Sequence, residues 1–114
     1  MSEEELLGKR VRVLALLDAY GPLLSPAQDK ALTGYYRYDL SLAEMAEEEG
    51  VSRSGVYDAI KKGIAKLEGF EAKLGLVAFK GKVASMLDEA KAEPDPKKKE
   101  KIYERLRKEI EHGI

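Results

Sequence analysis

Leu7, Val11, Leu14 and Leu17 recur at helical spacing near the start of the chain, flanked by Leu6, Val13 and Leu16. Such a wide apolar stripe predicts a helix over about residues 3–20 that packs on more than one neighbour. Ser2 with Glu5 reads as an S-x-x-E capping box, and three Glu stand in the first turn, where the helix dipole favours them. Gly21-Pro22 ends that helix. "SPAQ", Ser25 to Gln28, is a second capping box with Pro at the first helical position, and it predicts a helix from Pro26 to about Tyr36, with "RYDL" as the turn that follows. Ser41 with Glu44 makes a third box, opening a short helix that Gly50 closes, and Ser52 caps the next one.

That fourth helix has no stop before Gly75, and Val56, Ile60, Ile64, Leu67, Phe70 and Leu74 trace its apolar side. Gly55, Gly63 and Gly69 each weaken it by up to about 1 kcal/mol relative to Ala, so they mark either close helix packing or a bend. Leu76, Phe79, Val83 and Leu87 predict a fifth helix; "EPDP" breaks the chain; Ile102, Leu106 and Ile110 at four-residue spacing predict a sixth within "PKKKEKIYERLRKEIEH". The expected fold is all-α. A helical domain over residues 1–75 contains a helix-turn-helix at 41–63, and residues 76–114 form a helical extension packing on that domain or on a partner.

The residues of "SLAEMAEEEGVSRSGVYDAIKKG" fit the physical jobs of a helix-turn-helix, two helices crossing steeply over a short turn. Leu42, Met45 and Ala46 face inward from its first helix, Gly50 takes a turn conformation with positive φ, Val51 plugs the corner, and Val56 with Ile60 anchors the second helix. The outer side of the second helix is then Arg53, Ser54, Tyr57, Asp58, Lys61 and Lys62, whose first turns would enter a major groove. Arg53 suits a phosphate or a guanine edge, Ser54 a phosphate, Tyr57 offers a hydroxyl and a ring, and Lys61 and Lys62 suit backbone phosphates. Asp58 repels phosphate, and this face holds no Gln and no Asn, so its equipment for reading bases is poor.

Composition sharpens the picture. The 114 residues include 36% charged and 44% apolar types and no Cys, which suits a helical protein and excludes a disulfide frame, a thiolate nucleophile and a Cys-based zinc site. The acidic opening followed by an amphipathic stretch is the reverse of a secretory signal, and the apolar run "VLALL" is too short for a membrane span, so a cytoplasmic location is expected. His112 is the lone His, and no phosphate-binding glycine loop occurs; neither an enzyme, nor a metal, nor a cofactor is expected. Charge is uneven. Residues 1–50 hold five basic and ten acidic groups, residues 51–73 five and three, and residues 74–114 ten and eight. Only the segment after Val51 and the tail can offer phosphates a positive face.

Three clusters have two meanings. Tyr35, Tyr36 and Tyr38 suit base stacking, but more often such rings fill core while their hydroxyls reach polar partners. The seven Lys and Arg from Lys97 to Lys108 suit nucleic acid, yet Glu100, Glu104 and Glu109 interleave them as in a salt-bridged amphipathic helix. Leu67, Phe70, Leu74, Val83 and Leu87 suit a two-fold interface, and a homodimer would place two second helices symmetrically.

"DLSLAEMAEEEGVSRSGVYDAIKKGIAKLEGFEAKLGL", with the "LLDAYGPLLSPAQ" entry and the paired Tyr35-Tyr36, resembles the YlxM family of bacterial proteins. The resemblance covers roughly residues 10–76, and beyond Leu76 it is only general. It implies a helix-turn-helix like region 4 of sigma factors, in a small cytoplasmic regulator linked to protein targeting, because the family's gene commonly accompanies that of the signal recognition particle GTPase. Gly55 and Tyr57 stand where sigma-like helices often carry arginines. The expected function is therefore a DNA-binding regulator linked to the signal recognition particle, acting on DNA or on the particle's RNA through Arg53, Ser54, Tyr57, Lys61 and Lys62. The alternative is a protein-interaction adaptor that uses the same fold to bind the targeting GTPase, its RNA complex or RNA polymerase.

Overall fold

A computed structural model describes residues 2–113, and every regular element among them is helical. The chain divides between Leu74 and Gly75 into two compact units. The first contains α1 (Glu3–Gly8), α2 (Arg10–Tyr20), a 3-10 turn (Gly21–Leu23), α3 (Pro26–Tyr36), α4 (Leu42–Glu49) and α5 (Arg53–Leu74). The second is a hairpin of α6 (Leu76–Ala92) and α7 (Pro96–His112).

Caps set most of these boundaries. Ser25 and Ser41 form complete reciprocal capping boxes with Gln28 and Glu44. Ser2 caps only in part: its hydroxyl accepts the Glu5 N–H, but it donates to Glu5 Oε1, which does not return to the cap backbone. Gly50, at φ 66°, ends α4, and the Val51 N–H reaches back to the Ala46 carbonyl at 3.0 Å. A left-handed residue closing the last turn in this way satisfies carbonyls that the helix leaves free.

The opening helix expected over 3–20 is broken. Lys9, with φ −95° and ψ 5°, separates α1 from α2. The break resets the phase of the stripe: Leu6, Val13, Leu16, Leu17 and Tyr20 are buried, whereas Leu7 and Val11 are 57% and 84% exposed. The flanking residues join Leu17 in the core, and Leu7 and Val11 of the stripe face water. Tyr36 is buried and its hydroxyl donates to the Leu6 carbonyl at 2.8 Å, tying α3 to α1. Burial pushes the Tyr36 phenol up to about 12.

Helix α5 packs against α2, α3 and α4, with Val56, Ile60, Gly63, Ile64 and Leu67 buried. At Gly63 α3 comes close: a Cβ added there would lie 2.7 Å from Leu32 Cδ1. Gly69 has no neighbour within 4 Å of such a Cβ, and α5 runs unbroken through both glycines. On the α2 side, the Tyr20 hydroxyl donates to Glu71 at 2.6 Å and Arg12 pairs with Glu68 at 2.8 Å.

In the second unit, Ala90, Ile102 and Leu106 are buried, while Ile110, expected on the same stripe, is 56% exposed. Lys82–Glu109 and Arg105–Glu89 bridge the two helices, and Arg107–Glu111 runs along α7. The tail's cations are therefore partly spent on carboxylates, as the interleaved pattern suggested.

Candidate nucleic-acid interface

Helices α4 and α5 with the Gly50 turn form the two helices and corner expected at 41–63. Leu42, Met45 and Ala46 are buried beneath α4, and Val56 and Ile60 beneath α5, as the residue types required. Val51 does not plug the corner. It is 52% exposed, because its backbone is committed to closing α4 while Met45 and Val56 already occupy the interior.

Ser52 caps the start of α5, its Oγ accepting the Gly55 N–H at 3.0 Å, and the first turn carries no acidic residue. In this unit α1, α3 and α4 each place a carboxylate in the first turn, whereas α2, like α5, places none. The positive end of the α5 dipole is thus left without a carboxylate from its own first turn, and Arg53 adds a full charge beside it.

Arg53, Ser54, Lys61 and Lys62 are all exposed. Ser54 Oγ lies 3.2 Å from Ser52 Oγ, within the cap. Lys62 pairs with Asp58 at 2.9 Å, so the carboxylate that would repel a phosphate is neutralised, at the cost of most of one cation's pull. Lys61 Nζ stands 5.4 Å from the centre of the Tyr57 ring. Tyr57 itself is half-buried; its hydroxyl is buried and has no hydrogen-bond partner among the described residues. The expected phenolic contact to nucleic acid is therefore not presented, and Tyr57 serves instead as a platform for Lys61.

Lys66 belongs with this set and was not singled out from the sequence. It is exposed, four residues beyond Lys62, and a one-turn step from that residue was the signal available. Arg53, Lys61 and Lys66 have no carboxylate partner among the described residues. At about 1.5 Å per residue these cations extend over about 20 Å of α5. By helical phase, Ser54, Asp58 and Ala65 lie along the middle of the exposed strip, with Lys61 on one flank and Lys62 and Lys66 on the other. Cations on the flanks and small or acidic residues in the middle suit the walls of a groove better than its floor. Across the turn, α4 exposes Glu44, Glu47, Glu48 and Glu49.

This geometry agrees with the chain's relatives. The family model described as helix-turn-helix protein, YlxM / p13 like, matches residues 7–110. The chain belongs to that family. The match runs through both units, so α6 and α7 are part of the family pattern, further than the resemblance over residues 10–76 reached. A UPF0122 protein of Fusobacterium nucleatum is 37% identical over 101 residues, covering 89% of this chain and 98% of its own. One of Halalkalibacterium halodurans is 43% identical over 90 residues, covering 79% and 83%. One of Symbiobacterium thermophilum is 42% identical over 78 residues, covering 68% and 73%. No helix among the described residues is long and apolar enough to cross a membrane, and no cluster of metal-ligating side chains occurs among them.

Of the residues expected at a two-fold interface, Leu67 is fully buried within the chain and is core. Phe70 is half-buried, its ring 5.9 Å from that of Tyr20, and Val83 is half-buried. Leu74 and Leu87 are 52% and 43% exposed. Tyr35 and Tyr36 are buried, edge to face at 5.0 Å, which places their rings in the core; Tyr38 is 70% exposed.

Proposed function

We propose that this protein is a cytoplasmic, DNA-binding regulator linked to the signal recognition particle, gripping the nucleic-acid backbone through α5. The observation that carries the reading is the run of exposed cations that form no ion pair among the described residues, Arg53, Lys61 and Lys66, with Lys73 farther along, on a helix whose first turn lacks any acid. Arg53 would anchor a phosphate at the helix start, where backbone N–H groups and the dipole add to its charge. Lys61, Lys62 and Lys66 would hold the strands on either side. With Asp58 and Ala65 between them, sequence readout would be weak, because phosphate contacts position a protein and base contacts specify. The link to protein targeting rests on the resemblance to the YlxM family. A homodimer, with Leu74 and Leu87 as its exposed apolar residues, would present two α5 helices at once.

Titration of random duplex DNA, the gene's own upstream DNA and signal recognition particle RNA, followed by fluorescence anisotropy, tests this. Binding to at least one of these, lost on Arg53→Ala or Lys61→Ala, is expected, and the tightest of the three names the target. Failure of all three to bind at low salt would sink it. An adaptor role toward the targeting GTPase, its RNA complex or RNA polymerase draws support from a different observation, the four exposed Glu of α4, which would repel phosphate on that side.

A further inference from the structure

A groove of about 660 Å³ opens between α3, α4 and the start of α5. Ala31, Leu40, Met45, Val56 and Ala59 give it an apolar lining, and two exposed apolar residues, Tyr38 and Val51, stand along it. Its charged groups are Asp29, Glu48, Glu49 and Lys30. Lys30 pairs with Glu49, which holds the Lys30 pKa above its ordinary value, so the ammonium stays charged and offsets that carboxylate. Asp29 and Glu48 remain, with the acidic wall of α4 beside them.

We infer that this groove docks an amphipathic, basic α-helix of a protein partner, with bulky apolar side chains on the lining and Lys or Arg against Asp29 and Glu48. Charge complementarity selects the occupant. A phosphate backbone would meet carboxylates on the α4 side, whereas a cationic helix meets the same groups as attraction that also steers encounter. The walls are helices and offer no strand edge, so an extended peptide has no backbone ladder to join, and a helix, which satisfies its own backbone, does not need one. Small residues at Ala27, Ala31, Gly55 and Ala59 let the partner come close, and the volume accommodates several large side chains. The inference goes beyond the nucleic-acid reading and stands without it, since none of Arg53, Lys61 and Lys66 lines the groove.

The test uses the full chain and two labelled helical peptides with leucines at i, i+3, i+4 and i+7, one with Lys at the remaining positions and one with Glu. The Leu/Lys peptide should bind at least about tenfold more tightly than the Leu/Glu peptide, a difference readable as a shift in Kd. Ala59→Arg, which fills the groove with like charge, should weaken Leu/Lys binding by about tenfold or more. Glu48→Gln, on the exposed rim and so without effect on folding, should weaken it severalfold, and Lys61→Ala should leave it unchanged. No binding of the Leu/Lys peptide, equal binding of the two peptides, or binding indifferent to both groove variants would each overturn the inference. So would self-association abolished by Ala59→Arg, which would make a second copy of the chain the occupant.

Discussion

Replacing Gly63 and Gly69 by Ala, one at a time, separates close packing from helix propensity on a single helix. Both glycines lie inside α5, so each substitution removes the same backbone penalty and should gain about 1 kcal/mol of helix stability. At Gly69 the new methyl meets nothing within 4 Å, and the gain should appear whole. At Gly63 the methyl would lie 2.7 Å from Leu32 Cδ1, 3.3 Å from Leu32 Cγ and 3.6 Å from Gln28 Cβ. Leu32 has no exposed surface, so it cannot swing aside into water, and forcing it to shift in a filled core costs about 1–3 kcal/mol. The helix term cancels between the two variants, leaving a gap of about 2 kcal/mol that measures the clash alone. Urea unfolding followed by circular dichroism reads that gap as a change in midpoint at constant slope. Thermal melts should show Gly69→Ala raised and Gly63→Ala level or lowered, at about 4–8 °C per kcal/mol. Equal stabilisation by the two substitutions would refute the close approach of α3 and α5.

Gly50→Ala should lower stability by about 1–2 kcal/mol although the site is open, because φ 66° strains any Cβ-bearing residue; Gly50→Asn should lose less. Leu67→Ala should cost about 2–5 kcal/mol by cavity formation, whereas Leu74→Ala should change the unfolding of the monomer by under about 0.5 kcal/mol; similar losses would contradict the burial of Leu67. Tyr36, pushed up to about 12 by burial, favours folding in its neutral form. Its contribution is complete below pH 10, where the unfolded phenol is neutral too, and up to roughly 3 kcal/mol is lost as pH rises from 10 to 12. A pH series of urea midpoints should show that step, and Tyr36→Phe should shrink it, leaving the part due to Tyr35, whose phenol is also pushed up by burial.

Much of the fold was legible because it is local. A Ser cap reaches only three residues ahead, so Ser25, Ser41 and Ser52 announced their helices from sequence alone. Gly50 was legible for the same reason. The break at Lys9 was not, because its signal, Gly8, stands inside an apolar stripe that reads on through it, and the core takes Leu6, Val13 and Leu16 where Leu7 and Val11 were expected. Long-range packing decided the rest. Whether Leu67 lay beneath α5 or on a free face depended on where α2 and α3 cross it, and whether Tyr57 offered its hydroxyl depended on what covers that atom. Of the five residues expected at the interface, four are exposed, and Lys66 joins them by a one-turn step that counting could have found. The groove beside α4 was invisible from the chain, because its lining comes from three helices and two turns.

The salt dependence of binding to random duplex DNA tests the central claim most directly. Arg53, Lys61 and Lys66 should together contribute about −3 to the slope of log affinity against log salt, or about 40-fold weaker binding between 50 and 200 mM. Arg53→Ala, Lys61→Ala and Lys66→Ala should each make the slope shallower by about 1, and all three together should remove most of it. Tight binding with a flat slope, or a slope untouched by the triple substitution, would contradict a backbone grip through α5.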